Sequence, residues 1–256
     1  MKTAVIKIGG LVATDPLVLQ GLLKEMKAIT DYLFVLVHGG GKEVTQFSEK
    51  LGIKAEFRDG VRITAPQEME VVDMVLGGKI NIDLVRKANL FGHRAVGLGG
   101  SDAHTFVSEV LTVADRPDNR TGKIRLTQPQ LLNHLLGGGY LPILHSTSVD
   151  TQGQGLNINA DEAALEVAAA LKAHRLIYIS DIPGILKNSQ VIAKIDRKQT
   201  EKEISDGVIS GGMIPKVNSS LDGVDRGIEA VVIGGYKAPG DLALLLNFQS
   251  GTAITN

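Results

Sequence analysis

Lys7 stands inside the apolar run VIKIGG at residues 5–10, one residue ahead of paired glycines. Burying an unpaired ammonium there would cost several kcal/mol, so the side chain must reach an anion or an opening. A second lysine carries the same question. Lys216 lies in GGMIPKVNSS, where Pro215 is tolerated only in the first turn of a helix. The helix dipole disfavours a cation at that end unless an anion sits beside it. Two ammonium groups on glycine-bounded turns can neutralise a phosphate. The plainer alternatives, Lys7 snorkelling from a strand end and Lys216 as one more surface lysine, stay open on these residues alone.

Glycine supplies the other half of the pattern. The stretch VHGGGK at 37–42 places three glycines between an apolar strand and a helix. Their conformational entropy is more than a plain turn requires, but bare backbone at a helix N-terminus can approach an anion closely. GG at 9–10, GLGG at 97–100 and GG at 211–212 are weaker versions of the signal, and GGGY at 137–140 reads as a helix C-cap. In LNINADEAA (156–164), Asn159 suits an N-cap, with Asp161 and Glu162 in the first turn. The same geometry would let Asp161 hold one or both lysines while Asn157 points at a substrate. Arg62 in GVRIT has the planar fork suited to a carboxylate, or to a surface salt bridge. SDIPGIL (180–186), following a strand, could line a nucleotide or form only a Pro-Gly turn. His38, beside the glycines, stands out among six histidines that show no metal-ligand spacing.

Familiar motifs are missing. The chain contains neither G-x-x-x-x-G-K-[ST] nor G-x-G-x-x-G, nor a G-x-S-x-G elbow or H-E-x-x-H helix. A phosphate bound here is therefore bound by a different glycine architecture, with separate lysines.

Strands and helices must alternate to place these residues. Apolar strand-like runs at 3–8, 33–38, 94–98, 140–144, 175–180 and 229–235 are separated by helical spacing at 15–30, 42–51, 66–90, 128–137, 159–172 and 213–226. That alternation predicts an α/β protein with a sheet buried on both faces. Ligands in such sheets sit outside the carboxyl ends of the strands, where VIKIGG, VHGGGK and SDIPGIL all fall. Residues 101–125 break the rhythm and read as an inserted hairpin. The expected lobe boundary is near Lys172, giving an N-terminal lobe 1–172 and a C-terminal lobe 173–256.

Composition narrows the partners. The 256 residues are 43% hydrophobic, and 27 Lys and Arg nearly balance 28 Asp and Glu, so no overall field favours nucleic acid or an anionic membrane. The chain has no cysteine, which excludes disulfides and thiolate chemistry. No apolar stretch long enough to span a membrane occurs, and Met1 leads straight into a strand, so a cytoplasmic location is expected.

VIKIGG, LVHGGGKEV, DGVRIT, EMEVVDMVLGGKIN, LNINADEAA, SDIPGIL and GVISGGMIPKV occur in an order that closely resembles the amino acid kinase family. Within it, the match is to members that phosphorylate N-acetyl-L-glutamate. The resemblance covers Met1 to about Leu221. It implies a three-layer α/β/α sandwich around a mainly parallel open sheet, and ATP-dependent phosphorylation of the side-chain carboxylate, the second step of arginine biosynthesis. By the same resemblance Lys7 and Lys216 are catalytic cations and Asp161 orients them. Gly9 and Gly10 offer N–H groups to phosphate, and Gly40 and Gly41 do so for the substrate, which Arg62 and Asn157 grip. Asp181, Ile182, Pro183, Gly184, Ile185 and Leu186, with Val208, Ile209 and Ser210, line the nucleotide pocket. Mg²⁺ travels mainly on the nucleotide phosphates. The N-terminal lobe would then bind the acceptor and the C-terminal lobe ATP. Members inhibited by arginine carry an additional N-terminal helix, so an arginine-insensitive homodimer is expected. Relatives acting on aspartate, glutamate, carbamate or an aminoadipate derivative, and a non-catalytic nucleotide sensor, are the competing readings. The loops GLGGSDAHTF and LPILHSTSV depart from the family pattern.

Overall fold

The computed structural model describes residues 1–9, 12, 15–58 and 60–256. Gly10, expected to offer an N–H to phosphate, lies outside the described residues. Two compact units make up the chain: Met1–Leu36 with Val167–Asn256, and Val37–Glu166. The chain leaves the first unit within a strand and returns to it within a helix near the expected boundary, so residues 1–36 group with the C-terminal part rather than with the residues that follow them.

The first unit begins with β1 (Lys2–Ile8), whose Ala4, Val5, Ile6 and Ile8 are fully buried. Helix α1 (Pro16–Ala28) starts where Asp15 accepts from the N–H groups of Leu17 and Val18 at 2.8 and 3.2 Å, with Pro16 in the first turn. Its Leu19, Leu22, Leu23 and Met26 recur at three- and four-residue spacing and are all buried. Strand β2 (Tyr32–His38) follows.

In the second unit α2 (Gly41–Lys50) follows the glycines, and β3 (Glu56–Arg58) and β4 (Val61–Ile63) pair as an antiparallel hairpin. The single helix expected over 66–90 is three segments: α3 (Pro66–Val72), a π-helical stretch Asp73–Asn81, and α4 (Ile82–Leu90). The wider turn falls on DMVLGGKIN, where Gly77 and Gly78 weaken α-helical preference and the His145 ring packs 3.4 Å from where a Gly77 Cβ would be. Strand β5 (Ala95–Leu98) and the inserted hairpin β6 (Phe106–Val110) and β7 (Gly122–Thr127) come next. Helix α5 (Gln130–Gly137) ends as expected, with Gly139 at φ +72° after the cap. Strand β8 (Leu141–His145) runs parallel to β5, and β9 (Thr147–Val149) pairs with β10 (Gly155–Asn157). Helix α6 (Ala160–Ala170) carries the chain back.

The rest of the first unit comprises β11 (Arg175–Ile179), the short β12 (Leu186–Lys187), β13 (Gln190–Val191) and β14 (Lys194–Ile195), α7 (Arg197–Ser205), α8 (Met213–Asp225), β15 (Val231–Gly234), α9 (Asp241–Leu246) and β16 (Thr252–Ile254). Its sheet order is β14-β16-β15-β11-β1-β2. The pairs β1–β11 and β11–β15 are parallel, while β16 turns antiparallel to β15. The expected α/β class with a mainly parallel sheet and helices on both sides is what the chain adopts.

Candidate active site

In the first unit both lysines are placed relative to one tyrosine, one by strand register and the other by a cation–π contact. Lys7 of β1 is the register partner of Tyr178 of β11. The Lys216 Nζ lies 4.8 Å from the centroid of the Tyr178 ring, from the first turn of α8. A Cβ at Gly9 would meet the Lys7 Nζ at 3.0 Å, so a side chain there would crowd the ammonium. Lys7, Gly9 and Lys216 are therefore gathered beside a buried tyrosine that sequence reasoning missed. Its signal was present in RLIYIS: a ring in an otherwise aliphatic strand two residues before the SDIPG turn.

The nucleotide candidates divide by burial. Asp181, Pro183, Leu186 and Ser210 are exposed, and Ile182 and Val208 half-buried. Gly184, at φ +150°, packs against the Thr252 backbone, and the N–H of Ile185 donates to Thr252 Oγ1 at 2.8 Å. Ile209 is buried, and the N–H groups of Val208 and Ile209 both reach the Glu203 carbonyl.

The second unit contains a cavity of about 200 Å³ lined by Gly39, Gly40, Gly41, Arg62, Asn157 and Ser146, among others. All four residues expected to hold the substrate thus meet in one pocket. Helix α2 starts there on Gly40 with no side-chain cap, which leaves first-turn N–H groups for an anion. Arg62 is 8% exposed and rigidly held. Its Nη1 donates to Glu68 at 2.5 Å, and Nη2 donates to the Gly41 carbonyl at 2.9 Å and to Thr45 Oγ1 at 2.6 Å. Its guanidinium also stacks 4.6 Å from the Phe57 ring centroid. Three of its five N–H donors are thus spent on described residues, both on Nη2 and one on Nη1, so the end-on fork of Arg62 is not open to a carboxylate. Asn157 Nδ2 donates to Thr64 Oγ1 at 2.8 Å, and Thr121 Oγ1 bridges the Thr64 N–H and the Arg62 carbonyl at 3.0 and 2.8 Å. Glu68 was also missed; a carboxylate on the apolar face of EMEVV was the available sign.

Asp161 sits in the first turn of α6, its N–H accepted by Asn159 Oδ1 at 2.8 Å, as the capping expectation required. Among the described residues no group of three or more His, Cys, Asp or Glu could hold a metal ion.

Burial pushes the His38 imidazole down from 6.5 to about 4, opposed by its hydrogen bond to the Gly39 carbonyl and reinforced by His145 nearby. The unfolded chain then binds the proton first as pH falls. Stability supplied by neutral His38 is complete above about pH 6.5 and is lost toward pH 4, about 3 kcal/mol in all. Denaturant titrations between those limits should show a shallower pH dependence in His38→Asn than in the unsubstituted protein; parallel curves would refute this.

A mainly parallel α/β sheet with glycine turns ahead of helices is the arrangement in which α/β proteins take anionic ligands at strand ends. The chain belongs to the amino acid kinase family, whose profile it matches over residues 2–234. Similar curated proteins include the chloroplastic acetylglutamate kinase of Arabidopsis thaliana, 38% identical over 266 residues (99% of this chain, 75% of that one). The acetylglutamate kinase of Acaryochloris marina is 39% identical over 267 residues, covering 99% of this chain and 92% of that one. Among solved structures, smu.665 from Streptococcus mutans superposes with a TM-score of 0.79 at 28% identity, over 99% of this chain and 98% of its own. Carbamate kinase from Giardia lamblia, bound to AMP-PNP, has a TM-score of 0.71 at 16% identity over 100% and 98%, a likeness of fold alone.

Proposed function

We propose that the protein transfers the terminal phosphoryl group of ATP to the side-chain carboxylate of N-acetyl-L-glutamate, giving N-acetyl-L-glutamyl 5-phosphate in the second step of arginine biosynthesis. The observation that carries this reading is the pocket in which Gly40, Gly41, Arg62 and Asn157 meet. A carboxylate is already a nucleophile, so positioning and charge neutralisation must provide the rate without a general base. Arg62, the N-terminus of α2 and Asn157 hold the acceptor. Lys7 and Lys216 neutralise charge on the transferring group, Gly9 and Gly10 give it backbone N–H groups, and Asp161 is the third catalytic residue. Residues 181–186 and 208–210 take the nucleotide. Mg²⁺, carried mainly by the phosphates, supplies further charge neutralisation when bound. This assigns acceptor binding to residues within 1–172 and nucleotide binding to residues within 173–256.

The protein works on these small molecules as a cytoplasmic homodimer, without nucleic-acid or membrane partners. Its balanced charge argues against polyanion partners, and among the described residues no helix is long and apolar enough to cross a membrane.

Free glutamate would bring an ammonium where the acetylated nitrogen is neutral, against a buried guanidinium and a helix N-terminus. N-acetyl-L-glutamate should therefore be preferred over free glutamate or aspartate by at least about a hundredfold in kcat/KM, as sites with specific polar contacts discriminate. Hydroxylamine trapping of the acyl phosphate, run in parallel with N-acetyl-L-glutamate, glutamate, aspartate and carbamate, measures it. Equal or greater turnover with any of the other three would defeat the acceptor assignment.

A further inference from the structure

His38 ends β2 immediately before the glycine loop and is 1% exposed. Both ring nitrogens are engaged: Nδ1 lies 2.9 Å from the Gly39 carbonyl oxygen and Nε2 lies 3.0 Å from Asn81 Nδ2. A carbonyl can only accept, so Nδ1 carries the proton and Nε2 accepts. The Asn81 amide is oriented independently, because Nδ2 also donates to the Ile143 carbonyl at 2.9 Å. A flipped amide would set its oxygen against that carbonyl, two acceptors face to face. The backbone of β8 thus fixes Asn81, and Asn81 fixes the His38 tautomer.

The consequence reaches the pocket through the peptide plane. In a trans peptide the carbonyl of one residue and the N–H of the next point in opposite directions. Holding the Gly39 carbonyl on His38 therefore sets the direction of the Gly40 N–H. The next two carbonyls are held as well, that of Gly40 by the Val44 N–H at 2.9 Å and that of Gly41 by Arg62 and Thr45. From the π-helical stretch, Ile80 Cδ1 and Leu76 Cδ2 would lie 2.2 and 2.8 Å from a Cβ on Gly40, pressing the loop from below. Asn81 ends that same stretch, and the wide turn brings it onto His38.

We infer that His38 and Asn81 form a positioning pair that aims the Gly40 N–H at the acceptor, so that acceptor affinity depends on a histidine and an asparagine that do not line the pocket. This rests on the reading that the pocket binds N-acetyl-L-glutamate. Two near-isosteric substitutions separate the hydrogen bonds. In His38→Asn the side-chain amide nitrogen stands where Nδ1 was and keeps the Gly39 bond while losing Asn81. In His38→Gln the terminal oxygen can still accept from Asn81, but nothing reaches the Gly39 carbonyl.

Steady-state kinetics on both variants and on Asn81→Leu, with melting temperatures alongside, provide the test. His38→Gln should raise the KM for N-acetyl-L-glutamate by about tenfold or more while the KM for ATP stays within about twofold. His38→Asn should recover an acceptor KM within about threefold of the unsubstituted protein, and Asn81→Leu should follow His38→Gln; if one of the two impaired variants fails to fold, the other carries the test. Lower melting temperatures with both KM values unchanged, or equal impairment of His38→Asn and His38→Gln, would overturn the pairing. Absence of acyl phosphate from the unsubstituted protein would instead overturn the acceptor reading.

Discussion

Replacing Lys7 or Lys216 by alanine is expected to lower kcat by at least about a hundredfold, equivalent to about 2.7 kcal/mol of transition-state stabilisation, with little change in the KM for ATP. The expectation follows from position. Lys7 stands opposite Tyr178 in the parallel register, and Lys216 reaches over the same ring from a helix N-terminus, where its charge is uphill unless an anion is present. An ammonium at about 4 Å from added charge, in an effective dielectric of about 20, contributes on the order of 4 kcal/mol. The dissociative transfer of a phosphoryl group redistributes charge at the transition state, so the loss should fall on kcat. Asp161→Asn keeps the cap on α6, because that bond uses the Asp161 backbone N–H, and should lower turnover similarly without lowering the melting temperature. Near-normal kcat in either lysine variant would remove that lysine from the mechanism.

The buried Arg62–Glu68 pair should separate folding from function. Either single substitution, Arg62→Met or Glu68→Leu, strands a charge in a site whose side chains are only 7% and 1% exposed. Breaking such a pair costs about 3–5 kcal/mol, whereas replacing both partners with apolar residues is often neutral. The double variant should therefore regain most of the stability lost by each single one. It should not regain function. Without the guanidinium the acceptor loses its cation and Gly41 loses a carbonyl partner, so the KM for N-acetyl-L-glutamate should stay raised by about a hundredfold. Denaturant unfolding and acceptor titrations on the three variants measure both effects. A double variant with normal acceptor KM would show that Arg62 serves packing alone.

The alternation of apolar strands with amphipathic helices was legible because burial on two sheet faces and one helix face leaves period-2 and period-3.6 traces in local sequence. Helix α1 shows it most plainly, with Asp15 and Pro16 at its start and four buried side chains at helical spacing. The glycine turns and both lysines stood out for a related reason: a cation inside an apolar run, or at the wrong end of a helix, conflicts with its own neighbours unless an anion is near. Where residues 1–36 belong was not legible, since that depends on β1 pairing with β11, distant in sequence. The hairpins β3–β4 and β9–β10 and the strand β16 were missed because strands of three residues are too short to carry a period.

Sequence by itself determined which residues could meet a phosphate and a carboxylate, because charge, backbone freedom and helix polarity are local properties. Tertiary structure alone decided how they are held. That Arg62 spends three of its donors on Glu68, Gly41 and Thr45, that Tyr178 underlies Lys216 and pairs in register with Lys7, and that a carbonyl on β8 reaches the glycine loop through Asn81 and His38 are all pairings across long stretches of chain. A hydrogen bond depends on tenths of an ångström and on direction, and only the packed backbone sets those.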